Sequence, residues 1–272
     1  MRRFSSYGPV DTDIHYYVPR RKLIESVYIQ LTGENPGKGG HYITVWAPRQ
    51  AGKTWVMQQV TKQIRKRDEF EVCIISMKPA NTAAGDKELL EIFVKKLEKW
   101  FERKFPKIGS WSQLADIFSN DHFEKPLILI IDEFDAINEE FIGKFVNEFR
   151  DMYISRQNES DRVSDNKSCL LHGLALIGVR SVLGIESTKG SPFNVQQSIN
   201  IPNLTFEETV GMFEWYEKES GGRVDADVVQ RVFNETQGQP GLSCWLGELL
   251  TEGVPGYELE KVGHLNSEVF DY

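Results

Sequence analysis

His41-Tyr-Ile-Thr-Val-Trp-Ala-Pro-Arg-Gln-Ala-Gly-Lys-Thr54 is the stretch on which the fold turns. A β-rich run enters a turn, and an amphipathic helical pattern follows at once. Position by position the turn matches G-x-x-x-x-G-K-[ST], with Ala47 in place of the first glycine. In such a loop successive backbone N–H groups curl around a phosphate, and the helix N-terminus adds its dipole. Lys53 brings a full positive charge to the outer phosphates, and Thr54 offers a hydroxyl to Mg²⁺, which prefers hard oxygen ligands. Pro48 restricts Ala47 to extended backbone, where a Cβ costs nothing, so the first position does not need glycine. Gly52 stays where backbone must approach phosphate. The competing reading is a fortuitous Gly-Lys-Thr turn.

A second stretch weighs against that alternative. Leu127-Ile-Leu-Ile-Ile131 is a continuous apolar run, as expected of a strand buried on both faces of a parallel sheet. It ends in Asp132-Glu133-Phe134-Asp135. Carboxylates at the end of a central strand are costly to bury unless a cation sits there. In a P-loop enzyme Asp132 holds the Mg²⁺ shell and Glu133 polarises the attacking water. A strand that simply ends in a polar turn is the alternative.

With 272 residues the chain can bury one generous core, or one core and a small helical domain. The net charge of −8 argues mildly against a nucleic-acid surface without excluding a local basic patch. Cys73, Cys169 and Cys244 are scattered, without CxxC or Cys/His metal spacing, which is the usage of a reducing cytoplasm and predicts three buried thiols. The five histidines are isolated in sequence and read as structural or surface groups. Apolar runs fall short of the ~20 residues a membrane span needs. Met1-Arg2-Arg3 is not followed by a signal segment, so the expected location is cytoplasmic, with no membrane partner.

Working outward, residues 1–20 are polar and turn-rich, and a short helix is expected from Arg20 to Gln30. A glycine-rich loop precedes a strand at 41–46, a helix runs from about 53 to 67, and a strand from 71 to 76. Leu89, Phe93, Leu97 and Phe101 recur every four positions, marking a helix over 86–105. Its lysines and Arg103 form either a nucleic-acid stripe or a solvated back, the latter favoured by the interleaved Glu91, Glu98 and Glu102. A helix over 139–155 leads into Gln157–Lys167, a polar stretch read as a mobile surface loop. Strands are expected at 170–179 and 195–201, then helices at about 206–219, 225–236 and 241–251. Strands alternating with helices give the fold class α/β, a doubly wound parallel sheet flanked by helices, with a small C-terminal α-helical domain. The expected division is 1–204 for the P-loop NTPase domain and 205–272 for the helical one.

Five stretches taken in order resemble prokaryotic AAA-like ATPases related to the STAND class of signal-transduction NTPases. They are Tyr16-Tyr-Val-Pro-Arg20, Ala47 to Thr54, Leu127 to Asp135, Ser191-Pro-Phe-Asn194 and Gly238-Gln-Pro240. That family also carries alanine at the head of the loop. The resemblance implies that Val18 and Arg20 lie near base and phosphates, that Arg180 reads the γ-phosphate, and that Pro240 packs against adenine. Each has a plainer reading: Arg20-Arg21-Lys22 as helix N-terminal charge, Arg180 paired with Glu186, and Gly238-Gln-Pro240 as a helix stop and start.

The function expected is a slow, Mg²⁺-dependent ATPase acting as a nucleotide switch. ATP or ADP would be held by Val18, Arg20, Pro48, Arg49, Gln50, Ala51, Gly52, Lys53, Thr54, Trp55 and Pro240. Thr54 and Asp132 are the expected metal ligands, and Glu133, Lys53 and Arg180 the expected catalytic groups. The alternatives are a nucleotide-gated binding or scaffold module without turnover, and a nucleic-acid-stimulated ATPase. A protein partner of unknown identity and a homo-oligomer complete the expectation.

Overall fold

The computed structural model describes residues 1–179, 197–252 and 264–270. Their contacts group into two compact units. One joins Met1–Arg20, Pro48–Trp55 and Ile201–Tyr272; the other joins Arg21–Ala47 and Val56–Asn200.

The second unit holds a five-stranded sheet in the order β2-β3-β4-β1-β5, in which every pairing is parallel. The strands are β1 (Tyr42–Trp46), β2 (Glu71–Ser76), β3 (Leu127–Asp132), β4 (Leu171–Gly178) and β5 (Gln197–Asn200). Central strands are the most apolar because helices cover both faces: β3 and β4 are buried almost throughout. The short, polar β5 is an edge strand with mostly exposed side chains. Helices α1 (Arg21–Thr32), α3 (Asp86–Phe101) and α4 (Glu139–Asn158) belong to this unit, and α2 (Lys53–Arg65) begins on the phosphate loop. Phe93, Phe145, Phe149 and Leu97 pack with the sheet residues Leu129, Ile131, Leu174 and Leu176 in one large cluster. Before β3 the chain adds a 3₁₀ stretch, Trp111–Phe118, that buries Leu114, Ile117 and Phe118.

The first unit is built around α5 (Phe206–Ser220), α6 (Ala226–Thr236) and α7 (Pro240–Glu252). A capping box opens α5: Thr205 Oγ1 accepts from Glu208 N–H, and Glu208 returns the bond to Thr205 N–H. Two short strands, β6 (Arg223–Val224) and β7 (His264–Leu265), pair in parallel.

Several expectations need correction. Residues 1–20 are no polar prelude to the sheet domain: Phe4 and Tyr16 are fully buried with Met212, Phe213, Val228 and Val232 in the helical core. The helix expected over 86–105 ends at Phe101, because Glu102 turns left-handed (φ 53°) and Glu98 then accepts from the Phe105 N–H. The stretch 157–167 is held by buried polar bonds rather than loose. Arg156 donates to Ser164 Oγ and to the Cys169 carbonyl, and Lys167 donates to the Arg156 carbonyl. Most of its side chains are exposed, as a polar surface loop requires, and Ser164 and Lys167 are the buried anchors. Of the three thiols, Cys73 and Cys169 are buried, and Cys244 on α7 is half-buried against the helical core. Arg180 and Ser191–Asn194 lie outside the described residues.

Candidate functional site: the phosphate loop and the acidic end of β3

The phosphate loop leaves β1 directly. Ala47 is buried and continues the β1–β4 pairing, its N–H reaching the Gly178 carbonyl at 3.4 Å. The left-handed positions in the loop are Gln50 (φ 60°) and Gly52 (φ 85°), and Ala47 is not one of them. The physical account of the missing glycine therefore holds: only positions 50 and 52 need positive φ, and glycine stands at the second. Lys53 begins α2, so its backbone and its charge sit at a helix N-terminus. Its Nζ donates to the Pro48 carbonyl at 2.7 Å, folding the side chain across its own loop. Thr54 is exposed. Trp55 is buried, stands 5.6 Å from the Tyr17 ring, and its indole N–H has no partner.

The outward carbonyls of this loop are engaged one after another. Beside the Pro48–Lys53 bond, the Arg49 carbonyl accepts from Gln239 Nε2 at 2.8 Å, and the Gln50 carbonyl accepts from Gly241 N–H at 3.1 Å. Gln239 precedes Pro240, the first residue of α7. Gly238 (φ 68°) is obligatory here, since an added Cβ would lie 2.1 Å from the Leu204 carbonyl oxygen. Thus Gly238-Gln-Pro240 is a helix stop and start, as one reading had it, and it is also bonded to the phosphate loop. Val18 is half-buried against the helical core. Arg20 (φ 46°) gives its guanidinium to the backbone, with Nη2 donating to the Pro202 and Asn203 carbonyls, while Nη1 is buried without a partner. Burial lowers the Arg20 pKa, and Glu208 partly opposes the shift.

The other cluster lies at the carboxyl end of β3. Asp132 is the last residue of that strand, and its Oδ1 accepts the Glu133 N–H at 2.8 Å. Glu133 turns left-handed (φ 54°). Its Oε2 accepts from Ser76 Oγ at 2.6 Å, and Oε1 is 3.9 Å from Lys78 Nζ. Ser76 is paired with Asp132 across β2 and β3, so parallel register brings the two strand ends together. Asp135 Oδ2 accepts the Val179 N–H at 2.7 Å, tying the acidic turn to the end of β4. Sequence reasoning missed Ser76, Lys78 and Asp135. A polar residue closing the strand before the acidic one was the available signal. Among the described residues no cluster of three or more histidine, cysteine or acidic side chains has metal-binding geometry, and no helix is long and apolar enough to cross a membrane.

Just beyond the end of α3, two of the basic residues are paired within the protein. Lys104 pairs with Glu98, while Arg103 pairs with Glu71 and lies over the Phe101, Phe105 and Phe123 rings.

Residues 5–246 match the AAA-like domain family. The chain belongs to that family. No curated protein matches it in sequence. Among solved structures it is similar to the Orc1 protein of Aeropyrum pernix in complex with DNA, at 14% identity and TM-score 0.60, covering 94% of this AAA-like chain and 64% of that one. It is similar to Cdc6p of Pyrobaculum aerophilum, at 14% identity and TM-score 0.59, covering 96% and 68%. A Walker-type ATPase of Pyrococcus abyssi matches at 13% identity and TM-score 0.60, covering 93% and 73%. This chain therefore spans about two-thirds of the length of these structures, and at such identities the likeness concerns the fold. The α/β class, a parallel sheet flanked by helices with a helical appendage, stands as read from sequence.

Proposed function

We propose that this AAA-like chain binds ATP with Mg²⁺ and hydrolyses it slowly to ADP and phosphate. The supporting observation is the loop itself. Left-handed Gln50 and Gly52 shape a turn that delivers Lys53 to the first position of a helix, in a family of P-loop proteins. Roles then follow from residue type. Lys53 and the amides of 49–53 hold phosphates, Thr54 and Asp132 supply oxygens to Mg²⁺, and Glu133 orients and deprotonates water. A Mg²⁺ ion held by Thr54 and Asp132 would supply positive charge against the negative charge that develops on the phosphates. Arg180 as a γ-phosphate sensor, and Val18, Arg20, Trp55 and Pro240 as groups around the base, belong to the same proposal. Arg20 enters it with its Nη2 committed to backbone carbonyls, which leaves Nη1 as its buried donor without a partner.

A specific observation favours the second reading, a nucleotide-gated binder without turnover. Glu133 Oε2 accepts from Ser76 Oγ and Oε1 faces Lys78, so both carboxylate oxygens already have partners within the protein. Steady-state phosphate release separates the readings. The ATPase reading predicts that Glu133→Gln keeps nucleotide binding and loses turnover roughly 10²–10⁴-fold. Equal release by parent and variant sinks it. The STAND kinship and a prokaryotic origin rest on the family resemblance, a cytoplasmic location on cysteine usage and the N-terminal sequence; a protein partner and a homo-oligomer belong to the same proposal. A third arm adds duplex DNA: stimulated turnover would revive the α3 lysines as a nucleic-acid face.

A further inference from the structure

We propose that Gln239 is a positioning residue for the phosphate loop, aiming two of its amides and tying their orientation to helix α7. The inference rests on the ATP-binding reading and adds to it the route by which an occupied loop is felt in the helical bundle.

A peptide unit is planar, so fixing its carbonyl fixes the N–H of the following residue on the opposite side. The Arg49 carbonyl shares a plane with the Gln50 N–H, and the Gln50 carbonyl with the Ala51 N–H. Both carbonyls are held from the start of α7: Gln239 Nε2 takes the first at 2.8 Å, and the Gly241 N–H takes the second at 3.1 Å. Between the two planes Gln50 sits at φ 60°, a left-handed conformation that a non-glycine residue keeps only when its surroundings impose it. Gly241 packs so closely on the Gln50 side chain that an added Cβ would come within 2.5 Å.

Gln239 does two things at once. Its Oε1 accepts the Leu242 N–H at 2.5 Å, capping one of the orphan donors in the first turn of α7. That bond fixes the amide orientation, because an N–H can face only the oxygen, and so the Nε2 must face the Arg49 carbonyl. The side chain is thus a strut between a helix start and a loop carbonyl. By linkage, any anion that stiffens the loop amides also stiffens the first turn of α7, and the reverse.

The two bonds can be cut separately. Gln239→Glu keeps an acceptor for Leu242 and replaces the Arg49 donor with a carboxylate oxygen, whereas Gln239→Ala removes both. NMR-detected amide exchange in the nucleotide-free protein is expected to show faster exchange at Gln50 and Ala51 in both variants. Leu242 should be faster only in Gln239→Ala. MgATP affinity of Gln239→Glu is expected to fall by about fivefold, the value of one net hydrogen bond, at both 50 mM and 500 mM salt. Salt independence distinguishes lost positioning from simple repulsion of phosphate by the new charge. Parental exchange at Gln50 and Ala51 in Gln239→Glu overturns the proposal, as does an affinity loss that disappears at high salt. A parent chain that binds no MgATP would defeat the ATP-binding reading instead, and the exchange arm would still decide the strut.

Discussion

The two units of the chain solve the same packing problem from opposite sequence patterns. In the sheet unit the core comes from long local runs: Leu127–Ile131 and Leu171–Gly178 are buried residue after residue. In the helical unit it comes from single residues drawn from distant stretches, with Phe4 and Tyr16 meeting Phe213 and Tyr216 some 200 positions away. A parallel strand declares itself by composition, because both of its faces are covered. A lone buried aromatic in a polar segment does not. The phosphate loop belongs to the second kind of unit, although its motif is local.

The largest effect expected from this contrast is at Phe4. Truncating a fully buried phenylalanine costs about 3–5 kcal/mol, so Phe4→Ala should collapse amide protection in α5 and α6. Protection in β3 and β4 should stay near parental. Equal loss in both sets would erase the distinction between the units.

Two left-handed glycines sharpen the same point. Gly221 (φ 72°) has open space where a Cβ would go, while at Gly238 a Cβ would strike the Leu204 carbonyl. Gly221→Ala should cost about 1–2 kcal/mol for conformation alone. Gly238→Ala should cost more, since backbone must move as well. Urea midpoints read by a helical-unit probe compare them, and equal values would mean that the 204–238 contact contributes nothing.

In the sheet unit the smaller expected effect is a pH dependence from His172. Its Nε2 bonds the Thr32 carbonyl and its Nδ1 meets Ser164 Oγ, next to Arg156, Lys167 and His41. Burial pushes its pKa down from 6.5 to about 3, and the neighbouring cations push the same way against the Thr32 bond. Protonation is therefore easier in the unfolded chain. The stability is present above pH 6.5 and is lost as pH falls toward 3. Between pH 7.5 and 5 the loss should reach about 2 kcal/mol. His172→Gln should flatten that slope in denaturant titrations; an unchanged slope would assign it to other groups.

Most of the sheet was legible because periodicity and apolar runs report burial directly. The positions of the loop motif and of Asp132-Glu133 in the fold, at the start of α2 and the end of β3, were legible because a turn between a β-rich run and an amphipathic pattern, and an apolar run closed by carboxylates, are local signals. What escaped were partnerships between distant residues: Ser76 with Glu133, Gln239 with Arg49, and Ser164 with Arg156 and His172. Such pairs leave no local pattern, since a polar side chain looks the same in sequence whether it meets water or a buried partner. The left-handed turn at Glu102, which shortened α3, was equally silent.

Calorimetric titration of the folded chain with MgATP, beside Lys53→Ala, tests the central claim most directly. In the proposed role Lys53 would supply a ligand charge and no core packing, so its loss should leave the fold and the melting transition unchanged. Saturable binding by the parent, abolished in Lys53→Ala, is the predicted result. Equal affinity in the two proteins, with both folded, would contradict the phosphate-loop assignment.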